Sequence, residues 1–195
     1  ALKNNPGRLG SCGRPVFDTE IRVVNEKGEE VSPGEMGEIT ARGPDIMKGY
    51  YKDPDLTQKT IVDGWIYSGD MAKVDEEGYI YIVDRKTEMI ITGGFNVYPS
   101  EIEQILYRHP SLLEASVVGV PDDKWGEAIK AVVVLKKGQS ATEEELINHC
   151  KTLLSSYKKP QSVDFLSELP KNPNGKIARR AVKEKYWAGK DRRVN

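Results

Sequence analysis

The sequence predicts an α+β protein in two parts. An antiparallel, β-rich, barrel-like segment covers residues 1–84, and a small α+β domain with a mixed sheet flanked by helices covers residues 85–195. Two observations predict this. From residue 16 to 84 apolar and polar residues alternate with a period of two in short runs between turns, as half-buried strands do. After residue 87 the order becomes strand, helix, strand, strand, helix, strand, and two of the runs take helical spacing.

In the first part EIRVV, GEITARG, WIYSGD, MAKVD and YIYIVD read as strands, with NEKGE and DEEG as turns. PDLTQKTI interrupts them as a short helix whose proline stands at the start, where a missing N–H is harmless. In the second part the strand MIIT runs into GGFNVYP, and SEIEQILYRH follows with Ile102, Ile105 and Leu106 on one helical face. EASVVGV and AIKAVVVL are strands around the turn PDDKWGE. Thr142 opens the next helix with Glu145 three residues later, a capping box, and Leu146, Cys150, Leu153 and Tyr157 continue the helical stripe. SVDFL is the last strand and IARRAVKEKYW the last helix. The domain boundary falls near Arg85–Glu88, with no low-complexity linker and no internal repeat.

With 38% hydrophobic and 30% charged residues the chain can bury a real core and still dissolve. Residues 1–86 hold 12 Lys/Arg against 16 Asp/Glu and residues 87–195 hold 17 against 14, too mild a bias for general nucleic-acid binding. Cys12 and Cys150 form no metal or disulfide pattern, so both read as small core residues of a cytoplasmic, reduced protein. No apolar run approaches the length of a membrane span, and KDRRVN fits no prenylation or peroxisomal signal. The loop-like start ALKNNPGRLG begins with Ala rather than Met and reads as a piece of something longer.

Four short constellations could carry chemistry, and each has a plain structural alternative. In LPKNPNGKIARR, Lys176 follows prolines, asparagines and a glycine. It could await an anion, or it could be a solvated turn that starts the last helix. It is no Walker loop, because Ile177 follows the lysine and no glycine stands five residues before Gly175. GRLGSCG lacks the spacing of a dinucleotide fingerprint. WIYSGD delivers Asp70 at a strand end, where a carboxylate can accept from two vicinal ribose hydroxyls or cap its own turn. Arg85 could meet a sugar or phosphate, or pair at the surface with Asp84. Gly93 and Gly94 permit a close ligand approach or simply a turn.

In order along the chain stand SCGRP, GEI with GYY, DGWIYSGD, DEEGYIYIVDRKTEMIITGGFNVYPSEIE, GVPDDKWGE, SSYKKP and PKNPNGK. This series resembles the adenylate-forming superfamily of acyl-CoA synthetases, luciferases and peptide-synthetase adenylation domains, above all the fatty-acyl and aryl CoA ligases. The resemblance covers essentially all 195 residues. It implies that residues 1–84 end a large domain whose phosphate loop and acyl pocket are not in this chain. Residues 85–195 would then be the mobile lid, with its hinge near 85–88.

The resemblance also implies roles. Asp70 would bind the ribose hydroxyls of ATP and Arg85 the same sugar. Lys176 would bridge the acyl carboxylate and the α-phosphate, where a flexible ammonium can follow growing charge. Mg²⁺ would accompany the pyrophosphate. After the small domain rotates, Gly93 and Gly94 would leave room for the pantetheine of coenzyme A, with Asn96 near the nucleotide phosphate. Thr87 stands at the pivot, where the family usually has lysine or aspartate. His109 lies near a turn where some members hold a metal, but it reads here as a histidine at a helix end, and no metal site is expected. The implied activity is an acid–thiol ligase that converts a carboxylic, fatty acid to acyl-AMP and then to acyl-CoA. Its partners would be ATP, the acid, CoA and the rest of the large domain, and the piece alone would be inactive. Two alternatives stay open on the sequence: loading of a carrier-protein thiol, and a non-catalytic binding module of the same fold.

Overall fold

The computed structural model describes residues 8–189, so residues 1–7 of the leading loop and the KDRRVN tail lie outside the described residues. The chain divides between Thr87 and Glu88 into two compact units.

The first unit is a curled antiparallel sheet, a half-barrel rather than a closed barrel. Its strands are β1 (Glu20–Val24), β2 (Gly37–Arg42), β3 (Ile61–Val62), β4 (Trp65–Val74) and β5 (Ile80–Arg85). The order is β1-β2-β4-β3, with β5 also paired to β4. WIYSGD and MAKVD, two runs in the sequence, form the single strand β4. The short helix α1 (Pro54–Thr60) begins as its proline requires, and Asp53 accepts from Leu56 N–H at 2.9 Å. The core is small: Val23, Ala72 and Ile80, with Ile21, Val31, Ile39 and Val74 packed around them. Cys12 is exposed rather than a core residue. It lies at the sheet edge, where its N–H donates to Ile80 O at 2.9 Å and its thiol to the same oxygen at 3.3 Å.

The second unit contains β6 (Ile90–Thr92), β7 (Phe95–Val97), α2 (Pro99–Leu106), β8 (Leu112–Asp122), β9 (Gly126–Leu135), α3 (Glu143–Leu153), β10 (Ser162–Phe165) and α4 (Arg179–Trp187). The sheet order is β10-β9-β6-β7, with β8 on β9; β10 runs parallel to β9 and the other pairs are antiparallel. The alternation of β8 and β9 builds two cores. Val117, Ile129, Ala131 and Val133 face α2 and α3, meeting Ile102, Ile105, Leu106, Leu146 and Cys150. Val118, Val132 and Val134 face the other way and meet Leu169 and Val182 of α4. That is why AIKAVVVL reads as almost continuously apolar: the strand is covered on both sides, and each buried valine contributes about 1.5–3 kcal/mol.

The capping box of α3 is present, with Thr142 and Glu145 exchanging bonds at 3.1 and 2.7 Å. The stripe predicted beyond it stops early. Leu153, the last helical residue, is exposed, and so is Tyr157, because the chain turns extended at Leu154, which packs against the core.

Candidate active site

Strand register brings Asp70 and Arg85 together. They are partners across the β4–β5 ladder, and Arg85 Nε lies 2.7 Å from Asp70 Oδ1. The pair is at the surface, where it adds little stability but stays open to a ligand. Arg85 thus pairs with Asp70 rather than with the neighbouring Asp84, which is buried and accepts from the Arg85 backbone N–H at 2.9 Å.

Gly69 shapes the approach to Asp70. Its φ is +74°, a left-handed conformation that glycine adopts without a Cβ penalty, and the register of β2 on β4 shifts there between Glu38 and Thr40. Buried Glu38 pins this bulge. Its Oε1 accepts from Gly69 N–H at 3.0 Å and its Oε2 from Lys86 Nζ at 2.7 Å. Ser68 Oγ donates to Ile39 O at 2.9 Å and accepts from Asp70 N–H at 3.0 Å. Sequence reasoning missed Glu38. The available signal was a glutamate two residues before Thr40 in GEITARG, on the strand face opposite Ile39.

Thr87 is exposed in a single 3₁₀ turn, Lys86–Glu88, and is the last residue of the first unit.

In the second unit Gly93 and Gly94 form the two-residue turn of the β6–β7 hairpin, with φ of +56° and +82°. They differ in what surrounds them. A Cβ on Gly93 would lie 2.6 Å from the Trp125 ring, while nothing stands within 4 Å of one on Gly94. Gly93 therefore answers to packing and Gly94 only to backbone geometry. Asn96 is exposed on β7, opposite Ile91. Its neighbour Phe95 stacks on Tyr157 with ring centroids 4.7 Å apart.

Lys176 is exposed, and among the described residues its ammonium has no hydrogen-bond or ion-pair partner. Its backbone is held tightly. Asn172 Oδ1 accepts from the N–H groups of Asn174 and Lys176 at 3.1 and 3.0 Å, and Asn172 N–H donates to Lys176 O at 2.8 Å. The helix after it, α4, is fastened along one face. Lys183 Nζ is 3.0 Å from Oε1 of fully buried Glu127, whose Oε2 accepts from Ile91 N–H at 2.9 Å. Trp187 Nε1 donates to Gly119 O at 2.8 Å, and Tyr186 OH donates to Asp164 at 2.5 Å. Burial pushes the Asp164 carboxyl upward, but the hydrogen bonds from Lys130 and Tyr186 outweigh it and hold the group below its ordinary range. Burial, with the bond to Asp164, raises the Tyr186 hydroxyl well above its usual value.

His109 Nδ1 accepts from Ser111 N–H at 3.4 Å, and its ring meets His149 edge-on at 5.3 Å. Among the described residues no group of three or more His, Cys, Asp or Glu could hold a metal ion.

A family model described as "AMP-binding enzyme" matches residues 2–51, and one described as "AMP-binding enzyme C-terminal domain" matches residues 101–176. The chain belongs to the adenylate-forming family of AMP-binding enzymes. Lys176 is the last residue of the second match, while Asp70, Arg85, Thr87, Gly93, Gly94 and Asn96 lie between the two. The chain is 49% identical over 175 residues to a long-chain-fatty-acid–CoA ligase of Escherichia coli O157:H7, covering 90% of this chain and 31% of that protein. ATP-bound MatB from Rhodopseudomonas palustris superposes with a TM-score of 0.86 at 37% identity, over 91% of this chain and 36% of that one. The o-succinylbenzoate CoA synthetase of Bacillus subtilis, in complex with its acyl-adenylate intermediate, gives 0.84 at 38% identity, over 94% and 37%. The chain thus spans about a third of the length of the relatives it matches.

Proposed function

We propose that this chain carries the ribose-binding strand end and the catalytic lid of an AMP-forming ligase that joins a carboxylic acid, in our reading a fatty acid, to coenzyme A. The observation that carries this reading is the Lys176 turn: an exposed ammonium on a fixed backbone, without a partner among the described residues, at the end of the match to the AMP-binding enzyme C-terminal domain.

In the first half-reaction a carboxylate oxygen of the acid attacks the α-phosphorus of ATP, and the bond to pyrophosphate breaks. Asp70 accepts from the ribose hydroxyls, Arg85 adds a donor to the same sugar, and Lys176 follows the negative charge that grows on the phosphoryl oxygens. In the second, the sulfur of CoA attacks the acyl carbon, the bond to AMP breaks, and the thiol proton leaves to solvent. The Gly93–Gly94 turn borders the thiol path, Asn96 lies near the phosphate, and Thr87 is the pivot between the two arrangements. Mg²⁺ would travel with the pyrophosphate. The described residues offer no cluster of ligands for it, and no step is assigned to it.

CoA as acceptor rests on relatives named as CoA ligases, and the fatty acid on the Escherichia coli relative. The rest of a large domain would supply the phosphate loop and acyl pocket. Two free thiols suit a reducing compartment, and we place the enzyme in the cytoplasm. No helix among the described residues is long and apolar enough to cross a membrane.

The test is ATP–pyrophosphate exchange with a panel of fatty acids, followed by CoA thiol consumption. The complete enzyme is expected to show both and the isolated chain neither, because oriented groups lose their advantage without the partner surface. Exchange above buffer by the isolated chain, or adenylation by the complete enzyme without thiol consumption, would contradict the reading.

A further inference from the structure

The helix that follows Lys176 is poorly made at its start. The N-cap of α4, Ala178, makes no side-chain hydrogen bond, and the first turn carries Arg179 and Arg180 with no acidic residue. Positive charge is what a helix N-terminus disfavours. α3 shows the opposite design, a capping box and three glutamates in its first turn. Local preference therefore does not hold the start of α4 in place. The bonds around Asn172 do not either, because they run within the turn and fix its shape rather than its position.

Arg179 holds it. Its side chain is 21% exposed, Nη2 lies 2.7 Å from Glu103 Oε2, and Nε donates to Glu103 Oε1 at 3.2 Å, a two-pronged grip on α2. Glu103 Oε1 also accepts from Val117 N–H of β8 at 2.8 Å, so one carboxylate ties α2, β8 and α4 together. Nη1 of Arg179 is 3.8 Å from Glu88 Oε2, a residue that directly follows the proposed pivot. Arg180 beside it is 89% exposed and meets Glu184 one turn along the same helix. Of two adjacent arginines, one is built into the unit and the other is solvated.

We propose that Arg179 is a positioning residue for Lys176. Through Glu103 it fixes the helix start three residues beyond the lysine, so that the ammonium reaches a defined point when the second unit presents it. The fork geometry explains the choice of arginine, since a lysine would make one of these bonds and not both. The proposal rests on the reading of Lys176 given above.

The test measures both half-reactions in the complete enzyme. Arg179→Met should slow adenylation by about tenfold to a hundredfold in kcat with little change in KM, as a group misplaced by about 1 Å does, and leave thioester formation from supplied acyl-AMP within about twofold. Arg179→Lys should recover part of the rate, and Arg180→Met should match wild type. In the isolated chain, trypsin should cut the Lys176–Ile177 bond faster in Arg179→Met while other sites are cut at unchanged rates. Should that variant fail to fold, Glu103→Gln keeps the Val117 acceptor and should show the same split. Equal loss of both half-reactions, unchanged adenylation, or uniformly faster proteolysis would overturn the proposal. Lys176→Ala is the control. If it spares adenylation, the reading of Lys176 fails and the proposal with it; if it abolishes adenylation while Arg179→Met leaves adenylation unchanged, the proposal alone fails.

Discussion

Asp70 sits within a hydrogen-bonded ladder, opposite Arg85 and beside a bulge pinned by buried Glu38, whereas Lys176 sits on an exposed turn whose own bonds close on themselves. A group in a ladder moves only if strands unpair. A group on a turn, mounted on a helix that ion pairs fasten to its unit, can be carried as part of a rigid body. The first arrangement suits a contact to the ribose that lasts through both half-reactions, and the second suits a cation needed once.

Lys176→Ala probes the exposed turn and should have the largest effect, lowering pyrophosphate exchange on the order of a hundred to a thousand fold. Gly94→Leu probes the β6–β7 turn of the same unit and should cut thioester formation by about a hundredfold while adenylation persists. Gly94→Ala is its control, since it carries the strain of φ +82° without the bulk. Asp70→Asn probes the strand ladder. It should raise the KM for ATP by about tenfold and touch both half-reactions, because a charged acceptor is lost from the nucleotide throughout.

The smallest effect concerns the rigidity of the second unit. Burial pushes the Cys150 thiol from 9.0 up to about 11. A folded value raised above the unfolded one means that the neutral thiol favours the fold. Its contribution is complete below pH 9 and is lost as the pH rises toward 11. Denaturant unfolding should show a loss on the order of 1–2 kcal/mol across that window. Cys150→Ala should remove this slope, and a slope that persists would place its origin elsewhere.

The local elements were legible in the sequence because their causes are local. The Thr142–Glu145 box, the proline that opens α1 and the Ile102, Ile105 and Leu106 stripe each depend on residues within a turn or two. Asp70 and Arg85 could be named but not paired, since their contact follows from strand register. Glu38, Glu103 and Glu127 went unread because their partners stand 31, 76 and 56 residues away, and in sequence such glutamates look like any solvated charge. Leu153 and Tyr157 misled for a related reason. Leu153 closes the helix with its side chain exposed, and the spacing to Tyr157 continued a helix that the extended turn at Leu154 had already ended.

The most direct test of a cation used only once is a single-turnover measurement of thioester formation from supplied acyl-AMP and CoA by the complete Lys176→Ala enzyme, beside Asp70→Asn. The account predicts that Lys176→Ala keeps a rate within about twofold of wild type while Asp70→Asn is slowed. A Lys176→Ala enzyme that loses this step as severely as it loses adenylation would show that the lysine does not leave, and would contradict the account.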